Sequence, residues 1–440
     1  MNIKKYNLHE NNNLFSFLYY GDLYLPRNDS FLLKLVESKL CFQNTKPDIF
    51  KMAQEPFNSN KLINYGVEAL ENALDASFTD ACLNGLNVIP LSGGLDSRSI
   101  LAYLIEKVQK NNILTVTYGH SGTLDYNIGK EVAKKAGVNH VAIDTSSFVW
   151  NTERMVNACR KTGWDCFSTI AYIHEYLGLG PDNIYWTGFM GGTRRRSSSR
   201  VFHYATWQEA VNLYSQYRKL DSGSSLLPRG CDYDPLSVFP LNELVGNDEI
   251  PYDEQLNYLI HQAIELWKGR FLNGYDWRAP YIQPTWTGFA LNLHDSYHEN
   301  QLFYRKVLNK MFPTLFNSIE SKSYPSISGY YKPLSQIKRK YSVLKYRAYK
   351  SMFKRGITSL KYIPNPGINQ IELDWAMRER ADVKVTVLEN LEDLHSRGLI
   401  NWMYIPKLFE DHQNKRVNNS ELIRTLLSLE LKIKAGILKV

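Results

Sequence analysis

The chain lacks the features of a secreted or membrane-spanning protein. None of its apolar runs reaches the roughly 20 residues that cross a bilayer, and residues 1–5 do not lead into the apolar core of a signal peptide. Its five cysteines are odd in number and form no Cys-x-x-Cys pair, so we expect free thiols and no zinc site. These absences favour a cytoplasmic protein without a transmembrane segment.

Acidic residues are missing from one long stretch. Residues 321–371 contain no Asp or Glu but eleven Lys and Arg, in a chain of net charge +8. Such a block indicates a solvated basic face, an anionic partner or substrate or, less often, lipid headgroups or nucleic acid. Tyr341, Leu344, Ala348 and Met352 recur there at helical spacing, which predicts a helix with this side packed inward.

Length and composition indicate a globular protein with more than one core. With 440 residues, 44% hydrophobic and 22% charged, the chain predicts two or three domains. Residues 1–58 look strand-like and irregular, residues 59–83 helical, and residues 197–250 an insertion of weak periodicity. From 251 to 440 the pattern is mainly helical.

From residue 86 onward strands and helices alternate, which predicts an α/β fold with a doubly wound parallel sheet. The predicted strands are 86–91, 113–118, 141–143 and 184–187, and the predicted helices between them include 125–136 and 169–176. Ligands of such sheets bind at the carboxyl ends of the strands. We therefore expect residues 91–97, 118–120 and 187–193 to form one pocket.

Residues 91–98 read Leu-Ser-Gly-Gly-Leu-Asp-Ser-Arg, between a predicted strand and a predicted helix. A glycine turn there lets backbone N–H groups converge on an anion, and the helix N-terminus adds its positive dipole end. Ser92 and Ser97 can donate hydroxyls to phosphate oxygens, and Asp96 can hold magnesium. The Lys-Ser/Thr of a Walker loop is absent.

This stretch closely resembles the pyrophosphatase loop of the asparagine synthetase family, whose motif reads Ser-Gly-Gly-Leu-Asp-Ser. The resemblance implies an adenine-nucleotide alpha hydrolase (HUP) type of fold, with ATP and magnesium as ligands. Members cleave ATP between the α and β phosphates, adenylate a carboxylate and pass the acyl group to an amine. The similarity covers about residues 60–320, with matches at Gly119, Asp125, His140, Trp277–Gln283, Phe289–His294, Arg305, Leu308 and Pro313.

The resemblance divides the chain into a short N-terminal segment (1–58), a pyrophosphatase domain (59–320) and a basic helical tail (321–440). It implies nucleotide binding by Leu91, Ser92, Gly93, Gly94, Asp96, Ser97, Tyr118, Gly119 and Gly188. Adenine would lie between the ends of strands 86–91 and 113–118. Catalytic roles fall to Asp96, Arg305 and Lys306, and substrate contacts to Arg194, Arg195 and Arg278. Arg194–Arg196 could equally be an ordinary basic loop, Arg278 could simply pair a surface carboxylate, and Arg305 and Lys306 could be solvated helix charges.

Three departures from the family pattern alter what we expect. Position 2 is Asn where glutamine-dependent members carry a nucleophilic Cys, and too few residues precede the synthetase part for a glutaminase domain, so we expect no glutaminase activity. The family's acidic loop is replaced by Thr187–Thr193, without a carboxylate, followed by Arg194–Arg196. Gln301 stands where the family has a catalytic Lys, and Lys306 could substitute for it.

Two functions follow from this sequence. The first is an ATP-dependent amide-forming ligase acting on a small or anionic carboxylate, with nitrogen from free ammonia, a separate ammonia-supplying or substrate-carrying protein, or an amine on a larger substrate. The second is a nucleotide-binding module that has lost its chemistry and acts through a partner. A third possibility is aminoacyl transfer on tRNA, which only the basic block supports. We do not expect nucleic acid as the partner.

Overall fold

The computed structural model describes the following parts of the chain: residues 6–7, 13–21, 29–55, 60–162, 177–191, 204–220, 223–260, 274–317, 319–323, 333–355, 357, 362–367, 371–414 and 417–440. The predicted helix 169–176 and the arginines at 194–196 lie outside these residues.

The centre of the fold is a five-stranded parallel sheet, which confirms the predicted α/β class. The described strands are β1 (Tyr6–Asn7), β2 (Asn87–Pro90), β3 (Ile113–Gly119), β4 (Asn139–Asp144), β5 (Ile184–Trp186), β6 (Asp276–Arg278) and β7 (Leu438–Lys439). The central sheet has the strand order β4-β3-β2-β5-β6. The two strands β1 and β7, from opposite ends of the chain, pair in parallel as a separate small sheet.

Helices cover both faces of the central sheet. Neighbouring residues of a strand point to opposite faces, and in β2 Val88 and Ile89 belong to two different buried clusters. The described α-helices are Asn13–Tyr20, Asp29–Thr45, Pro47–Gln54, Asn60–Ser77, Asp80–Asn84, Asp96–Lys107, Leu124–Ala136, Thr152–Thr162, Trp207–Arg218, Tyr252–Leu256, Pro284–Leu291, Asp295–His298, Leu302–Met311, Pro313–Phe316, Pro333–Lys354, Leu373–Glu379, Ala381–Ser396, Ile405–Gln413 and Ser420–Lys434. None of the helices in the described residues is both long and apolar enough to cross a membrane.

Crossover helices position the strand ends. The helix Asp96–Lys107 carries the chain from β2 to β3, and Leu124–Ala136 carries it from β3 to β4. The second helix ends at Gly137, whose φ of 68° is in the left-handed region that glycine adopts without strain. Because the strands are parallel, the carboxyl ends of β2, β3 and β5 lie at one edge of the sheet, as the sequence predicts.

The prediction of an irregular, strand-like N-terminal segment is wrong. Residues 13–20, 29–45 and 47–54 are helical. The second of these helices packs on the helix Pro284–Leu291, where a Cβ added to Gly288 would lie 2.4 Å from the carbonyl oxygen of Ser38. Leu32, Leu35 and Phe42 are buried in this contact region of the core. Packing against a distant part of the chain therefore fixes a structure for which the local pattern is weak.

The predicted helix 59–83 is interrupted. It forms as Asn60–Ser77 and Asp80–Asn84, with Phe78 and Thr79 between them. The domain boundaries stay a prediction. One buried cluster nevertheless draws residues from all three predicted parts, such as Phe17, Val116 and Leu391.

The predicted inward side of the basic helix Pro333–Lys354 is also wrong. Its buried side chains are Tyr346, Tyr349 and Phe353, which pack with Tyr362, Ile363 and Trp375. Tyr341, Leu344 and Ala348 are exposed. The helix carries two apolar stripes, and the stripe richer in aromatic rings is the one that is buried.

Candidate nucleotide-binding site

The loop after β2 is fixed to the end of β3. The N–H of Leu91 donates to the carbonyl oxygen of Val116 at 2.8 Å, which continues the strand pairing by one residue. The hydroxyl of Thr117 donates to the carbonyl oxygen of Leu91 at 2.7 Å. A Cβ added to Gly129, on the helix behind the loop, would approach the Leu91 carbonyl oxygen to 3.0 Å. The loop therefore starts from a closely packed position.

Two serines shape the glycine turn. The hydroxyl oxygen of Ser97 accepts the N–H of Ser92 at 3.2 Å and lies 3.3 Å from the Ser92 hydroxyl. The Ser92 hydroxyl oxygen in turn accepts the N–H of Gly94 at 3.1 Å. Both hydroxyls thus hold the turn in place. Their donation to phosphate oxygens stays a prediction.

The turn is open above Gly94. Among the described residues, a Cβ added there would come near a single neighbour, the Ser92 hydroxyl at 3.1 Å. The helix that begins at Asp96 has no side-chain cap at Leu95. Since the first N–H groups of a helix lack intrahelical partners, a glycine turn that opens at an uncapped helix start suits an anion.

Gly93 is held from both sides by an ion pair that the sequence analysis did not identify. Its N–H donates to Oδ1 of Asp125 at 3.0 Å, and its carbonyl oxygen accepts the N–H of Lys322 at 2.7 Å. The Lys322 Nζ lies 2.5 Å from Oδ2 of Asp125. Asp125 is buried, whereas about a third of the Lys322 side chain is exposed. Lys322 therefore brings a cation directly to the glycine turn.

No local pattern marks Lys322, because 197 positions separate it from Asp125. Two arginines place the short stretch that carries it. Arg98 is fully buried in the first turn of the helix Asp96–Lys107 and donates to the carbonyl oxygens of Ile319 and Glu320 at 2.9 and 2.7 Å. Burial lowers the pKa of Arg98 to about 10, against the charges of Glu131 and Glu320, so the guanidinium stays protonated at neutral pH.

Arg339 holds the same stretch from the other side. Its guanidinium donates to the carbonyl oxygens of Ser321 and Lys322 and pairs with Glu320, N to O at 3.2 Å. Because Arg339 lies on the helix Pro333–Lys354, the basic helix is joined to the glycine turn through residues 320–322.

Asp96 lies at the meeting point of two strand ends. A Cβ added to Gly188 would lie 2.6 Å from Cβ of Asp96, and one added to Gly191 would lie 2.2 Å from its carboxyl carbon. The turn after β5 therefore packs against the Asp96 side chain, and glycine is required there by close approach. Between these glycines, Met190 has a φ of 67°.

Two buried tyrosines accompany Asp96. The hydroxyl of Tyr304 donates to Oδ1 of Asp96 at 2.9 Å and lies 2.6 Å from the hydroxyl of Tyr281, which contacts the Ser99 hydroxyl. Burial, and next the Asp96 charge, raise the pKa of Tyr304 well above its ordinary value. Tyr304 therefore stays protonated and donates to the carboxylate. No local sequence pattern places either tyrosine beside Asp96, because they come from helical segments 185 and 208 positions further along the chain.

The structure brings most of the predicted nucleotide-binding residues to this edge. Leu91, Ser92, Gly93, Gly94, Asp96 and Ser97 form the turn, Gly188 packs on Asp96, and Tyr118 and Gly119 end the neighbouring strand β3. The end of β3 is covered from the C-terminal part of the chain, where the N–H of Leu124 donates to the carbonyl oxygen of Pro366 and Tyr362 packs edge-on against the buried His120. Their roles toward a nucleotide stay predictions.

The other predicted residues are placed less centrally. Arg278 ends β6, with its guanidinium bonded to Asp276 at 2.9 Å and to Thr79 at 3.1 Å. Arg305 is half-buried and Lys306 exposed on the helix that contributes Tyr304. Arg194 and Arg195 lie outside the described residues. The substrate and catalytic roles of these four residues stay predictions.

The charged groups fit a magnesium–nucleotide complex better than a protein-bound metal ion. Within the part of the chain that the structure describes, no three His, Cys, Asp or Glu residues group as metal ligands. Magnesium that accompanies a nucleotide takes most ligands from phosphates and water, so one carboxylate can suffice. Asp96, at the loop and still half-exposed, fits that part.

Comparison with known proteins finds one family model and one curated relative that match part of the chain. The sequence model of a family described as "Queuosine biosynthesis protein QueC" matches residues 87–157, which run from β2 into the helix Thr152–Thr162. A curated relative, 7-cyano-7-deazaguanine synthase of Archaeoglobus fulgidus, is 26% identical over 135 residues. That alignment covers 30% of this chain and 55% of the relative. The family model therefore matches the part of the chain that forms β2, β3 and β4, in a fold of the adenine-nucleotide alpha hydrolase type.

Proposed function

We propose that the chain is an ATP-dependent carbon–nitrogen ligase that forms AMP and pyrophosphate. The observation that carries the proposal is the glycine turn, open above Gly94, with Lys322 and Asp96 on its two sides. The match of residues 87–157 to a family model and the likeness to a synthase support nucleotide-dependent chemistry at the glycine turn. The resemblance of residues 91–98 to the asparagine synthetase loop supports activation of a carboxylate.

The triphosphate would be held by the turn. Backbone N–H groups at the helix start and the hydroxyls of Ser92 and Ser97 face the phosphates, and Lys322 neutralises charge on the departing pyrophosphate. Magnesium, when it accompanies ATP, supplies further neutralisation of the phosphates. Asp96 would hold this ion, and Tyr304 orients the Asp96 carboxylate through its hydrogen bond.

Leaving-group activation gives the reason for the reaction. A carboxylate does not lose its oxygen to an amine, whereas an acyl-adenylate loses AMP readily. In the first step, a carboxylate oxygen attacks the α-phosphorus, and the bond to the pyrophosphate oxygen breaks. In the second step, ammonia or an amine attacks the acyl carbon and AMP leaves. The proposed role of Lys322 belongs to the first step, where negative charge grows on pyrophosphate.

The partner that supplies nitrogen belongs to this proposal as well. Free ammonium, an ammonia-supplying protein, or an amine on a larger substrate would serve. Stimulation of amide formation by ammonium salts would support the first source.

Exchange of labelled pyrophosphate into ATP tests the proposal. Purified protein with magnesium and ATP should exchange pyrophosphate when a panel of carboxylic acids includes the right one, and Lys322→Met combined with Asp125→Asn should slow the exchange strongly. A protein that binds ATP by calorimetry but never exchanges pyrophosphate would instead be the degenerate nucleotide-binding module. The lack of carboxylates in Thr187–Gly191 and the engagement of Asp96 by Tyr304 favour this second function.

A further inference from the structure

The helix Pro333–Lys354 has an outer face with large exposed apolar side chains. Ile337, Tyr341 and Leu344 are each exposed by more than 60%. At about 100° per residue these three and Ala348 fall within about 60° of one another around the helix. Tyr346, Tyr349 and Phe353, which are buried, lie on the opposite side. The outer stripe is therefore spare apolar surface on a helix that is already anchored.

Exposed cations border this stripe on both sides. On a helical wheel Lys338 and Lys345 lie along one edge, and Lys340 and Arg347 lie along the other. All four side chains are exposed. The helix contains seven Lys and Arg and no acidic residue.

The acidic residues that flank this helix in sequence pair with cations on its inner side. Glu320 precedes the acid-free stretch and pairs with Arg339, and Glu372 follows it and pairs with Lys350 at 3.1 Å. Both cations belong to the buried side of the helix. The fold thus balances the inner charges and leaves the outer ones to act on a partner.

We propose that this outer face docks on an anionic lipid surface, with the helix lying in the plane of the membrane interface. A narrow apolar stripe between rows of Lys and Arg suits that position, because the apolar side chains enter the headgroup region while the cations reach lipid phosphates. The absence of acidic residues across 321–371 makes the whole face complementary to negative charge.

Two other occupants fit less well. A second copy of the helix would place Lys and Arg opposite Lys and Arg at both edges of the seam, where paired helices carry opposite charges. Three large apolar side chains are also few beside the roughly 20–30 residues per side of a stable protein interface. Nucleic acid would meet the cations but gain nothing from the apolar centre of the face.

Vesicle flotation with the full-length protein tests the proposal. The probes are vesicles of phosphatidylcholine alone and vesicles in which part of it is replaced by phosphatidylglycerol. Wild-type protein should float with the anionic vesicles, more weakly at high salt, and much less with the neutral ones. The stripe variant Ile337→Ser/Tyr341→Ser/Leu344→Ser should bind about tenfold more weakly or worse. The charge variant Lys338→Gln/Lys340→Gln/Lys345→Gln/Arg347→Gln should show at least a comparable loss, since each cation near an anionic surface changes binding about fivefold.

Matched controls remove equal numbers of exposed residues elsewhere. Tyr217→Ser/Leu241→Ser/Val385→Ser removes three exposed apolar side chains, and Lys34→Gln/Lys51→Gln/Lys61→Gln/Lys134→Gln removes four exposed cations. Both should bind vesicles as the wild type does. Thermal unfolding checks each variant, and Leu344→Ser alone with the wild-type salt titration serves if a multiple variant does not fold.

Several outcomes overturn the proposal. Wild-type protein that ignores anionic vesicles refutes it, as do helix variants that float as well as the controls. A wild-type dimer that the stripe variant converts to monomer would assign the face to self-association. Oligonucleotide binding that survives in the stripe variant but not in the charge variant, without vesicle binding, would assign it to nucleic acid.

Discussion

Lysines at the glycine turn and on the basic helix carry the same charge in opposite settings. Lys322 is paired with buried Asp125, and its backbone is bonded to Arg339 and Gly93, while Arg98 bonds the neighbouring backbone at Glu320. Lys345 is exposed on a helix without acidic residues. A cation whose position is fixed by several bonds can meet one developing charge, whereas exposed cations respond to the summed charge of a surface. Arg339 lies on the basic helix and bonds the backbone of Lys322, so variants of this helix can test the two sites separately.

The largest effect should come from Lys322. We expect Lys322→Met, combined with Asp125→Asn so that no buried carboxylate loses its partner, to slow pyrophosphate exchange about 10²–10³-fold, because a positioned charge near the leaving group is lost. Lys345→Met should leave the rate unchanged. Equal rates in the two variants would remove the contrast between fixed and exposed cations.

Asp96 should come next. Asp96→Asn keeps an acceptor for the Tyr304 hydroxyl, so the fold should persist. Turnover should fall by the several kcal/mol that a lost magnesium contact costs, about 10²-fold or more. Tyr304→Phe removes the hydrogen bond but keeps the carboxylate and should cost less. Steady-state rates across a magnesium titration distinguish the two, and wild-type turnover in Asp96→Asn would refute the assignment.

Gly94 tests the turn without altering charge. A valine side chain would enter the open mouth of the turn and should weaken ATP binding by about tenfold or more, by displacing phosphate from the backbone N–H groups. The melting temperature should hold, since within the described part of the chain only the Ser92 hydroxyl stands near the added Cβ. Gly246→Val, at a position with open space around it, is the matched control in calorimetry. Unchanged ATP affinity in Gly94→Val would move the site elsewhere.

Arg339 should give the smallest effect. Arg339→Met removes hydrogen bonds to the carbonyl oxygens of Ser321 and Lys322 and loosens Lys322, at about 1 kcal/mol or a fivefold loss of exchange. Vesicle binding should stay as it is, because Arg339 faces inward. Arg347→Met should do the reverse, weakening vesicle binding and sparing exchange. A result in which both variants fail in both assays would mean that the helix itself has been disturbed.

Sequence patterns predict β2, β3, β4 and β5 and the loop after β2, because each of these is a local feature, but they do not predict β6. The strand–turn–helix around residues 91–98 follows from an apolar run, two glycines and a helical period within about twenty residues. The predicted strands 113–118 and 184–187 correspond closely to β3 and β5. The fold class is confirmed for the same reason.

The contacts that complete the site join distant parts of the chain, and periodicity carries no information about them. Lys322 reaches Asp125, Tyr304 reaches Asp96, and Arg98 reaches Glu320, each across more than 190 positions. The basic helix shows a second difficulty. Its two apolar stripes have the same period, so the sequence predicts an amphipathic helix but does not determine which stripe is buried.

The buried guanidinium of Arg98 also bears on the order in which the molecule assembles. Its hydrogen bonds close loops of 221 and 222 residues, to Ile319 and Glu320. Contacts of such long range form late, since their loop-closure entropy must be offset by structure already in place. During synthesis, β2, the glycine turn and β3 leave the ribosome long before Glu320 does. A nascent chain can therefore build the turn early, but Lys322 joins it only in one of the last steps of folding.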